Sequence, residues 1–599
     1  MSNYKAPLKD MQFLLHDVFE AEKVWSQMPA LCDTIDKETA DAILEEGAKI
    51  TSEVIAPLNR NADEQGANWH EGEVTTPDGF AGAYQTYCEG GWGALSGDPE
   101  YGGMGMPKLL QSLFEEMTQS ASISFALYPM LTAGATLALS AHASDELKQV
   151  YLENMYSGQW AGTMCLTEPH AGSDLGIMTS KAEATEDGNY RISGTKIFIT
   201  GGEQDLTENI IHLVLAKIPG APEGPRGISM FVVPKFLINP DGSLGERNTV
   251  FCGSIEHKMG IKGSATAVMN FDGATGYLVG EPNKGLNYMF TMMNYERLGM
   301  GIQGVGAAET SYQIAAEYAK ERVQGRAATG AQSPDQKADS ILVHPDVRRM
   351  LLTMRSLTEA GRCFSAYVAK QLDIAKFSDC AEQKQRANQM VALLTPVAKA
   401  FLTDMAFESC SHGQMLLGGH GYIREWEQEQ LVRDVRIAQI YEGTNGIQSL
   451  DLLGRKVAAN KGEFFALYHK EISDFIERHR ESEQMIALIE PLEAALAKLT
   501  ITTDMVLEMQ NQDKNAIGAA AVDYQTVFGY VSYAYMWAMM AEKALVKLEE
   551  TADDFYQAKL ILAEFYMARV LPRIDGHIQS LCAGSESLMA MPESLFIRD

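Results

Sequence analysis

Cysteine is sparse and scattered in this chain. The eight (Cys32, Cys88, Cys165, Cys252, Cys363, Cys380, Cys410 and Cys582) never stand as Cys-x-x-Cys, which argues against a zinc ribbon or a disulfide framework. A basic n-region and an Arg-rich amphipathic presequence are both missing from MSNYKAPLKDMQFLLHDVFEAEKVW. Long apolar runs are missing too: the longest, around residues 530–541, is too short to span a bilayer. Positive charge is in short supply, with 49 Lys and Arg against 79 Asp and Glu, a net charge of -30 spread along the chain. Such a surface opposes nucleic acid and anionic membranes, while an anionic ligand needs only a local basic pocket. A cytoplasmic protein is expected.

What is present is ordinary globular composition, 46% hydrophobic and 21% charged, in 599 residues. That length calls for several domains. Helical apolar spacing runs through 37–59, 77–89, 107–120 and 144–157, separated by glycine-rich joints. From residue 161 the pattern changes. Residues 181–185 and 190–200 alternate around Asp187-Gly188-Asn189, which predicts a β-hairpin; 210–217, 227–233 and 265–271 are further short strands. Short strands without crossover helices predict a small barrel or sandwich. Helical spacing returns at 286–324, 344–372, 380–412 and 425–439, with 327–342 as a surface loop. The expected organisation is an extension (1–36), a helical domain (37–160), a β-domain (161–281), a helical bundle (282–453) and a further helical domain (454–599). The fold class is mainly α with a central β-domain.

Three stretches could carry chemistry. In residues 433–446, RDVRIAQIYEGTNG, a basic helical run leads through Ile440-Tyr441 to Glu442, then to Gly443-Thr444-Asn445-Gly446. A carboxylate among apolar neighbours loses solvation and suits proton abstraction; the bland alternative is a solvated helix end. In residues 164–174, MCLTEPHAGSD, Ala171 and Gly172 admit a ligand close to the backbone, and Thr167 and Ser173 offer hydroxyls. In KIFITGG, Phe198 and Thr200 stand two apart, on one face of a regular strand, able to flank a ring and bond its edge. Singly, each is more often a turn or a packed strand than a site.

The ordered set TEPHAGSD, KIFITGG, ERVQGR, LLGGHGY and RDVRIAQIYEGTNGIQ closely resembles the acyl-CoA dehydrogenase superfamily over roughly residues 37–453. The length and helical extension resemble its large bacterial branch, which includes enzymes acting on 3-methylthiopropanoyl-CoA and on fatty acyl-CoAs. The resemblance implies a helical N-domain, a β-barrel or sandwich, a four-helix-bundle C-domain, and the extra helices. It also implies FAD as cofactor, an acyl-CoA thioester as substrate and an electron-transferring flavoprotein as acceptor. In that frame Glu442 removes the C2 proton, and its backbone N–H, with a flavin ribityl hydroxyl, holds the thioester oxygen.

The same frame puts Met164, Leu166, Thr167, Gly172, Ser173, Phe198, Thr200, Arg322, Gly418, Gly419 and Thr444 at FAD. It puts Ser173, Asn294, Arg297 and Gly443 at the substrate, and no residue at a metal. The family usually has Trp where Phe198 stands. Met415 replaces a glutamine, and Gln324-Gly325-Arg326 lacks an aromatic. Glu296 holds a position that serves as base in a minority of the superfamily, or is a structural partner for an arginine. Gly299-Met300-Gly301-Ile302-Gln303-Gly304 has no βαβ frame and reads as close helix packing. His170, His412 and His420 lack metal-ligand spacing and read as structural. By family analogy a homodimer is expected. An oxidase using oxygen, or a flavin-bearing protein without turnover, are the alternatives.

Overall fold

The computed structural model describes residues 4–598. Two compact units divide the chain: Met1–Ala6 with Ala42–Gly299, and Pro7–Asp41 with Met300–Asp599. The early helices are α1 (Lys37–Lys49), α2 (Phe80–Glu89), α3 (Lys108–Ala121), α4 (Ile123–His142) and α5 (Asp145–Tyr156). Ser122 separates α3 from α4: its backbone is extended and its hydroxyl accepts the Phe125 N–H, an N-cap. Ser144 caps α5, whose first turn carries Asp145 and Glu146 where the helix dipole favours negative charge. Phe80, Tyr84, Phe114, Phe125 and Tyr128 fill the core between these helices.

The β-domain of the first unit contains β1 (Trp160–Cys165), β2 (Lys181–Ala184), β3 (Tyr190–Thr200), β4 (Asn209–Lys217), β5 (Ile228–Pro234), β6 (Val250–Ile255) and β7 (Thr266–Val279). The expected hairpin is β2 with β3, antiparallel, closed by Thr185, Gly188 and Asn189. Strand β3 pairs β7, β7 pairs β5, β5 pairs β4, and β4 touches β2 in parallel, so the ring closes as a barrel. Between the two expected forms, closure decides. Ile192, Val214, Phe231, Val233 and Phe271 pack inside. Strand β7 runs on well past residue 271, because its far end finds β5 as a second partner. Strands β1 and β6 carry no clear alternation and were not expected; β1 is buried along nearly its whole length beside β4.

In the second unit, α6 (Gly285–Glu321, from Met300 onward), α7 (Pro345–Phe377), α8 (Ala381–Leu416) and α9 (Gln428–Arg436) lead to α10 (Asn445–Leu450). The appended helices are α11 (Glu463–His479), α12 (Ile486–Met509), α13 (Ala516–Glu550), α14 (Asp554–Phe565) and α15 (Ile574–Cys582). They share a core with the bundle. The Phe401 ring of α8 meets Tyr530 and Tyr533 of α13 edge-on at 5.0 and 4.9 Å, and Gly529 leaves it room. Trp537 donates to Ser356 O at 3.1 Å. Met536 and Met540 are buried in this core. Helices α4 and α8 are long and apolar enough to cross a membrane by length and composition, unlike the run at 530–541. However, 83% and 78% of those stretches is buried inside the protein.

Residues 7–41 also belong to the second unit. Phe13 meets Phe555 and Tyr556 at 5.7 Å each. Buried Lys559 bonds Asp10 and, at 2.7 Å, Glu359, which in turn accepts from Arg355 at 2.6 Å. One turn further along α7, Arg362 reaches Glu309 at 2.7 Å. Three cations meet three carboxylates inside one unit.

Candidate active site

The first unit carries the TEPHAGSD loop at the end of β1. Glu168 and Ala171 exchange both backbone hydrogen bonds, at 2.9 and 3.0 Å, so the loop folds back on itself. The Glu168 carboxylate accepts from Thr179 N at 2.7 Å, Ser180 N at 3.0 Å and Lys196 Nζ at 2.9 Å. Burial pushes this carboxyl up, but Lys196 and the hydrogen bonds from Ser180 and Thr179 outweigh burial and hold it at about 2. Burial also pulls the Lys196 ammonium down, more than Glu168 holds it up.

A depressed carboxyl contributes stability that is complete above its ordinary value of 4.5 and is lost as pH falls from there toward 2. Acid unfolding followed by circular dichroism should show this step, and Glu168→Gln should remove it. An unchanged acid profile in that variant would contradict the assignment.

Ile197 N donates to Thr167 O at 2.9 Å, which brings Thr167 beside Phe198. Phe198 and Thr200 do turn to the same side, with Ile199 buried between them, but the strand before them is not regular. Opposite β7 the register slips between Ala267 and Met269, so Ile197 and Phe198 oppose one residue: a β-bulge. Phe198 has φ +60 and is 59% exposed, while Lys196 and Ile199 both turn inward. The bulge, not the pleat, aims the ring outward. Met164 and Thr200 are half-buried, Leu166 is buried, and Gly172 and Ser173 lie exposed on the loop.

On the first-unit part of α6, Arg297 is buried and donates to exposed Asn294 at 3.4 Å. Glu296 is 1% exposed, and a side chain at Gly134 would collide with its carboxylate. A cavity of about 30 Å³ lies near these residues, lined among others by Gln111, Glu115, Gln119, Met130 and Tyr295. Gln119 donates to the Met130 thioether at 3.4 Å.

In the second unit, Arg322 is exposed where α6 ends. One turn earlier, Tyr318 bonds His420 Nδ1 at 3.0 Å and meets Trp426 edge-on, tying the end of α6 to the loop of Gly418 and Gly419. A Cβ at either glycine would meet nothing within 4 Å, so this backbone faces open space. His420 therefore has protein partners, as do His170, bonded to Ile177 O at 3.2 Å, and His412, paired with Glu408 at 3.4 Å. Gly301 and Gly304 pack against α8 at Ala398 and Ala406 with no room for a side chain at Gly301, the close helix packing expected. The loop after Gly325 is organised by buried Asp339, which accepts from Arg326, Ala327, Gln332 and Ser333.

Helix α9 ends in a single 3-10 turn, Ile437–Gln439. Glu442 follows with φ +56 and Gly443 with φ +81, after which Thr444 caps α10 by accepting from Ile447 N at 3.4 Å. A left-handed glutamate costs on the order of 1–2 kcal/mol, so its surroundings must impose it. Glu442 is half-buried. Tyr441 bonds Gln303, and Gln448 Nε2 donates to Glu442 O at 3.0 Å. Asn445 is held by Lys399 Nζ at 2.8 Å and donates to Asp404 at 2.7 Å.

Sequence reasoning assigned no role to Gln303, Lys399, Asp404 or Gln448; Gln303 stood only within the 299–304 glycine run and Gln448 only as the last letter of the fifth motif. A Cβ on Gly443 would lie 2.7 Å from Gln448 Nε2. Gly443→Ala should therefore lower kcat about tenfold or more while the thermal midpoint stays near wild type. Wild-type kcat in that variant would mean the turn tolerates relaxation.

The residues fit FAD as the resemblance implies. The first unit presents an exposed aromatic ring beside the Thr167 and Thr200 hydroxyls. The second presents open glycine backbone, an exposed arginine and a helix cap.

The chain matches, in order, the acyl-CoA dehydrogenase N-terminal domain at 37–159, the middle domain at 163–274 and the C-terminal domain at 283–457. The family described as acetyl-CoA dehydrogenase C-terminal like follows at 468–592. It is 42% identical to the 3-methylmercaptopropionyl-CoA dehydrogenase of Ruegeria pomeroyi, over 98% of this chain and 99% of that one. It is 36% identical to a butyryl-CoA dehydrogenase of Syntrophomonas wolfei, over 99% of both. Its fold matches the acyl-CoA dehydrogenase of Bacillus anthracis crystallised with FAD, with a TM-score of 0.75 at 21% identity, covering 93% of this chain and 90% of that one. The chain belongs to the acyl-CoA dehydrogenase family.

Proposed function

We propose that this FAD-dependent acyl-CoA dehydrogenase uses Glu442 to remove the C2 proton of a short acyl-CoA and passes the electrons to an electron-transferring flavoprotein. The observation that carries the assignment is the backbone of Glu442, held left-handed and half-exposed at the family's base position by bonds on both sides. The competing carboxylate, Glu296, is shut inside the first unit. When bound, FAD supplies the acceptor for the C3 hydride. The Glu442 carboxylate takes the C2 proton, the C2=C3 double bond forms, and the Glu442 N–H steadies the negative charge that develops on the thioester oxygen. Thr167 and Thr200 would offer hydroxyls to the cofactor ring, and Phe198 would shield it. Gly418, Gly419, Arg322 and Thr444 would hold the diphosphate side of the cofactor, and Ser173, Asn294, Arg297 and Gly443 the substrate.

A short chain is supported by the full-length relatives named for 3-methylmercaptopropionyl-CoA and butyryl-CoA. The protein acts in the cytoplasm, in acyl-CoA oxidation, as a homodimer. Met415 and Tyr422, 70% and 82% exposed, with Ile423 and Trp426 form an apolar surface on the second unit that a second copy would cover.

Enzyme reduced by acyl-CoA without oxygen should be reoxidised rapidly by an electron-transferring flavoprotein and slowly by oxygen. Rapid oxygen uptake with peroxide formation would replace the dehydrogenase with an oxidase. Sedimentation should give twice the chain mass; a monomer at micromolar concentration would contradict the dimer.

A further inference from the structure

We propose that Gln448 is a positioning residue for the base, fixing the turn at Glu442 and Gly443 through its side-chain amide; this rests on the assignment of Glu442. Gln448 is fully buried on α10. Its Nε2 faces two carbonyl oxygens, Glu442 O at 3.0 Å and Gly443 O at 3.4 Å. Both partners only accept, so the amide must present its two N–H donors to them, and its orientation is determined. Both residues it holds have positive φ, at +56 and +81. Glycine adopts that conformation freely and glutamate only at a cost. Without the two bonds, Glu442 is free to relax toward right-handed backbone, which swings its carboxylate and its N–H together.

The platform on which Gln448 stands is rigid. Helix α10 is capped by Thr444, and Asn445 is fastened to α8 through Lys399, Asp404 and Ala400 O at 3.1 Å. On the other side of Glu442, Tyr441 is fastened to Gln303. Two anchored neighbours and one amide clamp leave the turn no slack. The absence of a side chain at Gly443 is part of the arrangement, since a Cβ there would displace the Gln448 amide.

The test compares Gln448→Met, which keeps length and burial but cannot donate, with Gln448→Asn, which keeps an amide withdrawn by one methylene. Wild type and Glu442→Gln serve as references. On flavin-loaded enzyme we expect kcat to fall about tenfold to a hundredfold in both Gln448 variants, with KM changed by less than about threefold. The isotope effect from deuterium at C2 should rise, because proton abstraction becomes slower relative to other steps. Hydrogen exchange of the peptide spanning 440–450 should quicken, while flavin content stays at the wild-type level.

A folded, flavin-loaded Gln448→Met enzyme with kcat within about twofold of wild type and an unchanged isotope effect would overturn the proposal. If Gln448→Met does not fold, Gln448→Asn decides by the same readouts. An active Glu442→Gln enzyme removes the base assignment itself. An inactive Glu442→Gln with normal Gln448 variants removes only the clamp.

Discussion

Glu442→Gln should leave the protein folded and flavin-loaded while lowering turnover by about a thousandfold or more, the scale of a lost general base. Glutamine keeps the shape and the backbone N–H, so it tests the carboxylate alone. The backbone at 442 is held by Gln448 and by the anchored Tyr441, neither of which depends on the charge of the side chain. KM should therefore move little, and acyl-CoA should still perturb the flavin spectrum on binding. Pre-steady-state mixing checks the step directly. Flavin reduction should nearly vanish in Glu442→Gln and survive in Glu296→Gln. If Glu296→Gln is the dead variant and Glu442→Gln reduces its flavin normally, the two carboxylates have been assigned the wrong way round.

The second large effect is on stability. Lys559 is 1% exposed and stands between Asp10 and Glu359. Burial alone would pull its ammonium down, but the two carboxylates reverse that and raise it, so it stays charged. Lys559→Met leaves buried Glu359 and half-buried Asp10 without their shared cation, and breaking such a pair from one side costs up to about 3–5 kcal/mol. Calorimetry should show the second unit melting earlier. Glu359 keeps Arg355 at 2.6 Å, so the uncompensated charge is chiefly that of Asp10. Adding Asp10→Asn should recover part of the loss. A Lys559→Met protein that melts like wild type would show the network to be energetically idle.

The sequence disclosed the parts of the fold that local chemistry controls. Asp187-Gly188-Asn189 between alternating strands specified the hairpin because a tight turn there tolerates few other residues. The glycines at 299–304 were legible as packing because no strand precedes them. The Phe198 bulge was not legible: one extra residue in a ladder is set by the partner strand, here β7, and alternation in KIFIT gives no sign of it. Strand β1 was missed because a strand buried on both faces has no period of two.

At the candidate site, Glu442 stood out as a carboxylate at a helix end. Its left-handed backbone did not, since it is imposed by Gln448 and by the Tyr441 anchor, a tertiary arrangement. The docking of residues 7–41 on α14 was equally hidden, because Asp10 and Lys559 are separated by almost the whole chain.

The most direct measurement mixes the purified enzyme, without oxygen, with 3-methylthiopropanoyl-CoA, butanoyl-CoA and longer saturated acyl-CoAs, and follows the visible flavin band. The predicted result is rapid bleaching with the short chains, with the matching trans-2-enoyl-CoA as product. A flavin band that no acyl-CoA bleaches would leave the fold intact and contradict the assigned chemistry.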